Sequence, residues 1–442
     1  MFSKTFTTLI FLVSCTGYAS AAPAQPNVPT SSKSAASSAA PSAPAAHALP
    51  ITRRLNITAP GTLAQSDRLR AQTFRQGLMP SHGGAPSSLP TFSQSTGITN
   101  SANLYYASVG VGNPPTQYTL IVDTGSSNTW VGANQNRPYN PTSTSQFTGD
   151  EVSVSYGSGA FAGTQGEEYL DTVTVASGLA IQQQSIGAAF ISEGMNGADG
   201  ILGLGPTDLT EGTLQSSGQS IPTVIDTAAE QGLISAKQVG IAFAPTTSTS
   251  QTNGEITFGG SDSSKFTGSL EFVPITAASP ANEFVGIDQS ITYGSSQIPI
   301  MSQTAGIVDT GTSLLMLPSD AFQSYVQATG ATPDETTGLL TLPASQFSSL
   351  QSLFFTIGDT TYEFTADAQA WPVALNSEIG GNENQIYLIV GDTGSPSGAG
   401  LDFTNGLAWL ERFYFVYDSG NNQVGFANTQ ATTQSVNVPN AS

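Results

Sequence analysis

An all-β chain folded as two lobes with a cleft between them is predicted by three features of the 442 residues. The run Leu120-Ile121-Val122-Asp123-Thr124-Gly125-Ser126-Ser127 recurs 186 residues later as Gly306-Ile307-Val308-Asp309-Thr310-Gly311-Thr312-Ser313. From about residue 100 onward, short β-prone runs alternate with glycine-rich turns and charge is sparse, the texture of strands joined by tight connections. Helical signals are few and short, which argues against a parallel α/β enzyme.

Taken in order, the chain opens with Lys4, an apolar stretch from Phe6 to Val13 and the small residues Ala19-Ser20-Ala21. That pattern reads as a signal peptide over residues 1–21, since the stretch is too short to span a bilayer. Residues 22–49 are rich in Ala, Ser and Pro and read as disordered. Ile51 to Gln76 is basic with interspersed apolar residues, and Gly83 to Ser95 is a Gly/Pro/Ser stretch suited to cleavage. Residues 22–95 are therefore expected to be a propeptide, its boundary falling within 85–100. Strands are expected at Tyr105–Gly112, Tyr118–Val122, Thr172–Val175, Gly254–Phe258, Leu353–Ile357, Ile386–Val390 and Phe413–Tyr417. Helices are expected at Pro222–Gln231, Pro318–Ala328 and Ala344–Leu350, each starting near a proline or hydroxyl residue. An N-terminal lobe over 96–265, a C-terminal lobe over 266–430 and a polar tail over 431–442 follow.

Composition narrows the chemistry. The single cysteine, Cys15, lies in the signal, and the two histidines, His47 and His82, precede residue 100. A processed chain would lack both, which excludes Cys-His and Ser-His nucleophiles and leaves no thiolate or imidazole for zinc. Carboxylates are almost the only titratable catalytic groups remaining. Seven of the 11 cations precede residue 101, where Asp67 is the one acid; four cations then face 30 acids, a formal −26. Such a body will not bind nucleic acid or an anionic membrane by general electrostatics, and it suits work at low pH. A basic leader on an acidic body is placed to lie across the cleft, held by ion pairs that acid weakens.

One Asp-Thr-Gly is an ordinary turn after a strand. Two matched copies place one carboxylate from each half at a shared seam, where both cannot ionise and a water can be activated by acid–base chemistry. These segments, with the rest of residues 100–430, resemble the pepsin-like aspartic proteases. Gly286-Ile287-Asp288-Gln289-Ser290 and Tyr387-Leu388-Ile389-Val390-Gly391-Asp392 are most similar to fungal secreted members of the polyporopepsin type. The resemblance implies the bilobal pepsin-like acid protease fold, with Asp123 and Asp309 as the catalytic dyad. It gives Thr124, Gly125, Ser126, Thr310, Gly311 and Thr312 supporting roles. It makes Tyr156, Gly157 and Ser158 the tip of a flap over the substrate, with Trp130 holding the tyrosine. Ile121 and Ile201 would line an apolar subsite, Ser313 would face substrate backbone, and Asp199 would be structural.

The chain departs from the family pattern in three places. No disulfide can form in residues 16–442, Ala198 stands where an aromatic is frequent, and Thr404-Asn405-Gly406-Leu407 replaces an apolar pair before the glycine. The sequons Asn56-Ile57-Thr58 and Asn440-Ala441-Ser442 fall in the leader and the extreme tail. The expectation is a secreted, extracellular aspartic endopeptidase made as a zymogen, cleaving polypeptides between bulky apolar residues at acidic pH. It would act as a monomer without metal or organic cofactor, and be inhibited by its own propeptide and by pepstatin-type compounds. A non-enzymatic homologue that keeps the cleft for binding is the alternative.

Overall fold

The computed structural model describes residues 46–57, 59–75, 102–154, 163–193, 195, 197–216 and 218–437. The expected signal peptide, the proposed cleavage zone, the flap tip and the Asn440 sequon lie outside them.

The described residues before position 100 contribute a strand and a helix. β1 (His47–Asn56) and α1 (Thr62–Arg75) precede β2 (Ala102–Val111) and β3 (Thr116–Asp123). β1 lies between β2 and the strand Ser250–Phe258, antiparallel to both. It thereby enters a thirteen-stranded sheet that runs from Thr267–Pro274 at one edge to Gln146–Val154 at the other. Composition assigns residues 47–49 to disorder, but the structure places them in this strand. Backbone pairing with two neighbours overrides the low-complexity signal of a few residues. Ile51 and Arg53 are both buried there. Arg53 Nε stands 3.0 Å from Glu411 Oε1 as an ion pair, off the line of a good hydrogen bond.

The repeated sequence produces a repeated local topology. β3 pairs in parallel with Gly200–Gly203, which runs antiparallel to Thr129–Val131. In the second half β4 (Ile298–Val308) pairs in parallel with Phe403–Asn405, which runs antiparallel to Leu315–Leu317. Both copies are nearly continuous apolar runs because both faces are covered, and Leu120, Ile121, Val122, Ile307 and Val308 are all buried. Each aspartate therefore emerges where a buried strand ends. A seven-stranded sheet holds the second set, and a three-stranded one joins Thr332–Pro333, Leu340–Pro343 and Gln385–Leu388.

Helices form at Val224–Glu230 and Ser319–Thr329, within the expected segments or offset by one residue. The third expected helix, Ala344–Leu350, forms instead a 3₁₀ turn over Ala344–Ser349, too short and too exposed to bury an apolar face. The run Ile386–Val390 is not one strand. It divides between two sheets, as Gln385–Leu388 and Val390–Asp392. The start of the polar tail is packed: Asn437 Oδ1 accepts from Val373 N–H at 2.8 Å, and Asp367 accepts from the Val436 and Asn437 amides. Among the described residues no helix is long and apolar enough to cross a membrane.

Candidate active site

Asp123 and Asp309 are fully buried and face each other across the two matched loops. Gly125 N–H donates to Asp123 Oδ1 at 3.1 Å, and Gly311 N–H to Asp309 Oδ1 at 2.9 Å. The hydroxyls of Ser126 and Thr312 donate to the other oxygens, Asp123 Oδ2 and Asp309 Oδ2, each at 2.5 Å. The glycines are required by close approach. A Cβ at Gly125 would stand 2.6 Å from Asp309 Oδ1, and one at Gly311 would stand 2.5 Å from Asp123 Oδ1.

The two loops are locked together by their threonines. Thr124 N–H donates to Thr310 Oγ1 and Thr310 N–H to Thr124 Oγ1, both at 3.0 Å. Each hydroxyl then donates across the seam, Thr124 to Val308 O at 3.1 Å and Thr310 to Val122 O at 2.8 Å. All four bonds are buried, so every polar atom of the crossing is satisfied where an orphan would cost about 1–3 kcal/mol.

Between the carboxylates lies the guanidinium of Arg70, from α1. Nε donates to Asp309 Oδ2 at 2.7 Å, and Nη2 reaches Asp123 Oδ1 at 2.7 Å and Asp309 Oδ1 at 3.0 Å. Sequence patterning assigns no site residue before position 101. The available signal was helical spacing: Leu63, Asp67, Arg70 and Phe74 repeat at i, i+4, i+7 and i+11 and form one buried face. Asp67 Oδ2 accepts from the Ser313 and Leu314 amides at 3.1 and 2.8 Å. Phe74 packs edge-on against Phe284, with Leu209, Ile307 and Leu401 around the same cluster.

Burial pushes Asp123 above the usual carboxylate range, opposed by Arg70 and reinforced by Asp309. Asp309 is also pushed up by burial, but Arg70's charge and hydrogen bond outweigh it and hold the group below 3.8. The asymmetry follows the contacts, because Arg70 gives Asp309 two hydrogen bonds and Asp123 one. Burial lifts Asp67 to about 7 despite its two backbone donors.

Two carboxylates thus stand at the ends of equivalent strands, each fixed by a hydroxyl and a glycine amide. The model of the eukaryotic aspartyl proteases matches residues 104–429. The chain belongs to that family. It is an aspartic endopeptidase of the pepsin-like type, acting on polypeptides. It is 57% identical to polyporopepsin from Irpex lacteus over 340 residues, covering 77% of this chain and 98% of that protein. Pepsin A from Suncus murinus is 33% identical over 73% of this chain and 80% of its own length. The crystal structure of the aspartic proteinase from Irpex lacteus superposes with a TM-score of 0.74 at 49% identity, over 89% of this chain and all of that one.

The remaining expected residues of this aspartic protease fall as follows. Ile121 and Ile201 are buried neighbours in the parallel pair behind Asp123. Trp130 is buried on the adjoining strand, while Tyr156, Gly157 and Ser158 lie outside the described residues. Ser313 Oγ bonds the Asn103 backbone, and its amide is one of the two that donate to Asp67. Asp199 stands apart from the seam, accepting from Thr119 N–H, Asn134 Nδ2 and Arg137 Nη1. At the departure Thr404-Asn405 the asparagine is compensated by a buried amide pair, whereas the buried Thr404 hydroxyl has no hydrogen-bond partner among the described residues. Asn405 Nδ2 donates to Gln289 Oε1 at 2.8 Å and Gln289 Nε2 donates back at 3.1 Å. Asp309 N–H donates to Asn405 O at 3.2 Å, so this strand still supports the second loop.

Proposed function

We propose that the chain is a secreted zymogen: a signal peptide over 1–21, a propeptide over 22–95, an N-terminal lobe over 96–265 and a C-terminal lobe over 266–430. Asp123 and Asp309 are its catalytic dyad. The observation that carries the reading is Arg70, whose guanidinium bridges both carboxylates at 2.7 Å and occupies the position a reacting water needs. The leader is then the intramolecular inhibitor, with β1 anchoring it in the sheet and α1 blocking the cleft.

In the processed enzyme a water takes the guanidinium's place. The ionised carboxylate accepts its proton as the oxygen attacks the peptide carbon, and the protonated one donates to the carbonyl oxygen. Ser126 and Thr312 hold the outer oxygens so that the inner pair faces the water. The proton belongs to the pair, and no acyl-enzyme forms. Phe74, seated in the apolar cluster beside β4, supports a preference for bulky apolar side chains next to the scissile bond. Ser313 and the flap residues Tyr156 to Ser158 would then meet the substrate backbone.

The test is cleavage of a denatured protein by acid-treated chain across pH 2–8, with and without pepstatin. Pepstatin-sensitive cleavage confined to acid is expected, with self-processing between Ala85 and Asn100. Asp123→Asn and Asp309→Asn should each lower kcat by roughly a thousandfold or more with circular dichroism unchanged. Turnover retained by either variant would sink the assignment.

A further inference from the structure

α1 carries a second set of contacts, on the face beside the one that meets the dyad. Arg68, Gln72 and Arg75 follow at i, i+4 and i+7 and so line up along the helix. They meet one rim of the cleft. Arg68 Nε donates to Asp392 O at 2.9 Å and Nη2 to Asp392 Oδ2 at 3.3 Å. Gln72 Nε2 donates to Thr393 O at 3.4 Å. Arg75 Nε donates to Leu401 O at 2.6 Å, and Nη2 to Asp402 O and Oδ1 at 3.3 and 3.2 Å. Arg75 is 93% buried by side chain, and its Nη1 stays without a partner among the described residues. The seat thus binds a cationic head without saturating this particular arginine.

Both carboxylates are held in place by the body of the protein, independently of the helix. Asp402 Oδ2 accepts from Thr304 Oγ1 at 2.5 Å and from Gly398 N–H at 2.7 Å, and Oδ1 accepts from Ala399 N–H at 2.9 Å. Asp392 Oδ1 accepts from Ser319 Oγ at 2.7 Å and Gly394 N–H at 2.8 Å. A third carboxylate, Asp320, lies near enough to act on Arg75 and is bound by Ser397. The acids therefore remain oriented when α1 departs, and a preorganised seat binds a new cation without a large ordering cost.

We infer that this rim is a specificity site of the processed enzyme that takes a lysine or arginine side chain of the polypeptide substrate. The inference rests on the reading of α1 as a cleft-bound inhibitor in the substrate's place. Arg75 lies five residues beyond Arg70 in the helix, about 7.5 Å along the axis, which an extended substrate covers in about two residues. The basic side chain therefore sits two or three residues from the scissile bond, on one side of it. Peptides carrying an apolar pair plus such a cation are the preferred class.

The experiment compares kcat/KM of the processed enzyme for peptides sharing one apolar scissile pair. Arg, Gln or Glu is placed in turn at each position up to four residues on either side. At one position two or three residues away, Arg should exceed Gln by about tenfold and Glu should fall below Gln, as expected for charge-assisted pairing. Asp392→Asn and Asp402→Asn should each bring the Arg/Gln ratio toward one, and so should added salt. Equal kcat/KM for Arg and Gln at every position in the wild type overturns the site. So does a ratio that survives both substitutions. If Asp402→Asn fails to fold, the wild-type peptide series and Asp392→Asn still decide. Cleavage of none of the peptides would remove the zymogen and peptidase reading itself, a different outcome from cleavage without preference.

Discussion

Replacing Arg70 with methionine keeps the helical length and apolar stem and deletes the guanidinium that three hydrogen bonds hold between two buried carboxylates. Removing one partner of a buried ion pair costs about 3–5 kcal/mol, chiefly because the other charges are left without compensation. At 1.4 kcal/mol per decade, that shifts the equilibrium between docked and released α1 by roughly a hundred- to a few thousandfold. The lower end applies in acid, where the dyad relieves itself by taking up protons. The sign with pH follows from Asp309, whose docked pKa lies below its ordinary 3.8. Its contribution to docking is present above 3.8 and is lost as pH falls through the depressed value, so the wild-type precursor should hold at pH 5 and open in stronger acid. The assay follows purified full-length precursor at pH 5 by gel and mass spectrometry, with Asp309→Asn as a form that cannot self-cleave. Arg70→Met should process at least a hundredfold faster than wild type. Equal half-lives at pH 5 would refute the guanidinium as the lock.

The other predictions test separate parts of the same architecture. Asp67→Asn keeps an acceptor for the Ser313 and Leu314 amides and removes the titration. Because the folded pKa is raised from 3.8 to about 7, the Asp67 contribution is full below 3.8 and lost as pH rises through 7, a swing of about 4 kcal/mol at most. On an Asp309→Asn background, wild-type Asp67 should therefore lose melting temperature between pH 4 and pH 8 relative to Asp67→Asn, and parallel curves would contradict the burial argument. Arg53→Met leaves Glu411 buried without its β1 partner and should loosen the leader by about 3–5 kcal/mol. Adding Glu411→Gln should recover much of that, and a double-mutant cycle with no coupling would dismiss the pair. Gly311→Ala places a Cβ 2.4 Å from Arg70 Nη2 and 2.5 Å from Asp123 Oδ1, so it should abolish activity and weaken leader docking together. Full activity in that variant would show that the loops have more room than their contacts imply.

The sequence by itself determined the all-β, two-lobed fold and its family. The reason is physical: a doubly buried strand must be apolar throughout, and a strand that ends at a seam must end in residues that tolerate crowding. Leu120 to Gly125 and Gly306 to Gly311 carry that requirement in their residue types, and the family match, over residues 104–429, includes both. Local chemistry was equally legible in the absence of histidine and cysteine after residue 100. The tertiary structure decided what pattern and composition do not encode. That His47–Asn56 is a strand depends on β2 and Ser250–Phe258, which lie some 50 and 200 residues away, offering two free edges at once. That Arg70, among the five arginines of the described residues before position 100, meets the carboxylates depends on the register of α1 between the two loops. Asp67 fixes that register on the Ser313 and Leu314 amides, and Phe74 fixes it in the apolar cluster. Asn405 reads as a departure in the sequence, and only its facing partner Gln289 makes it a satisfied support for Asp309. Long-range partnership assigned these roles, because a buried polar side chain has no fixed meaning until the group opposite it is known.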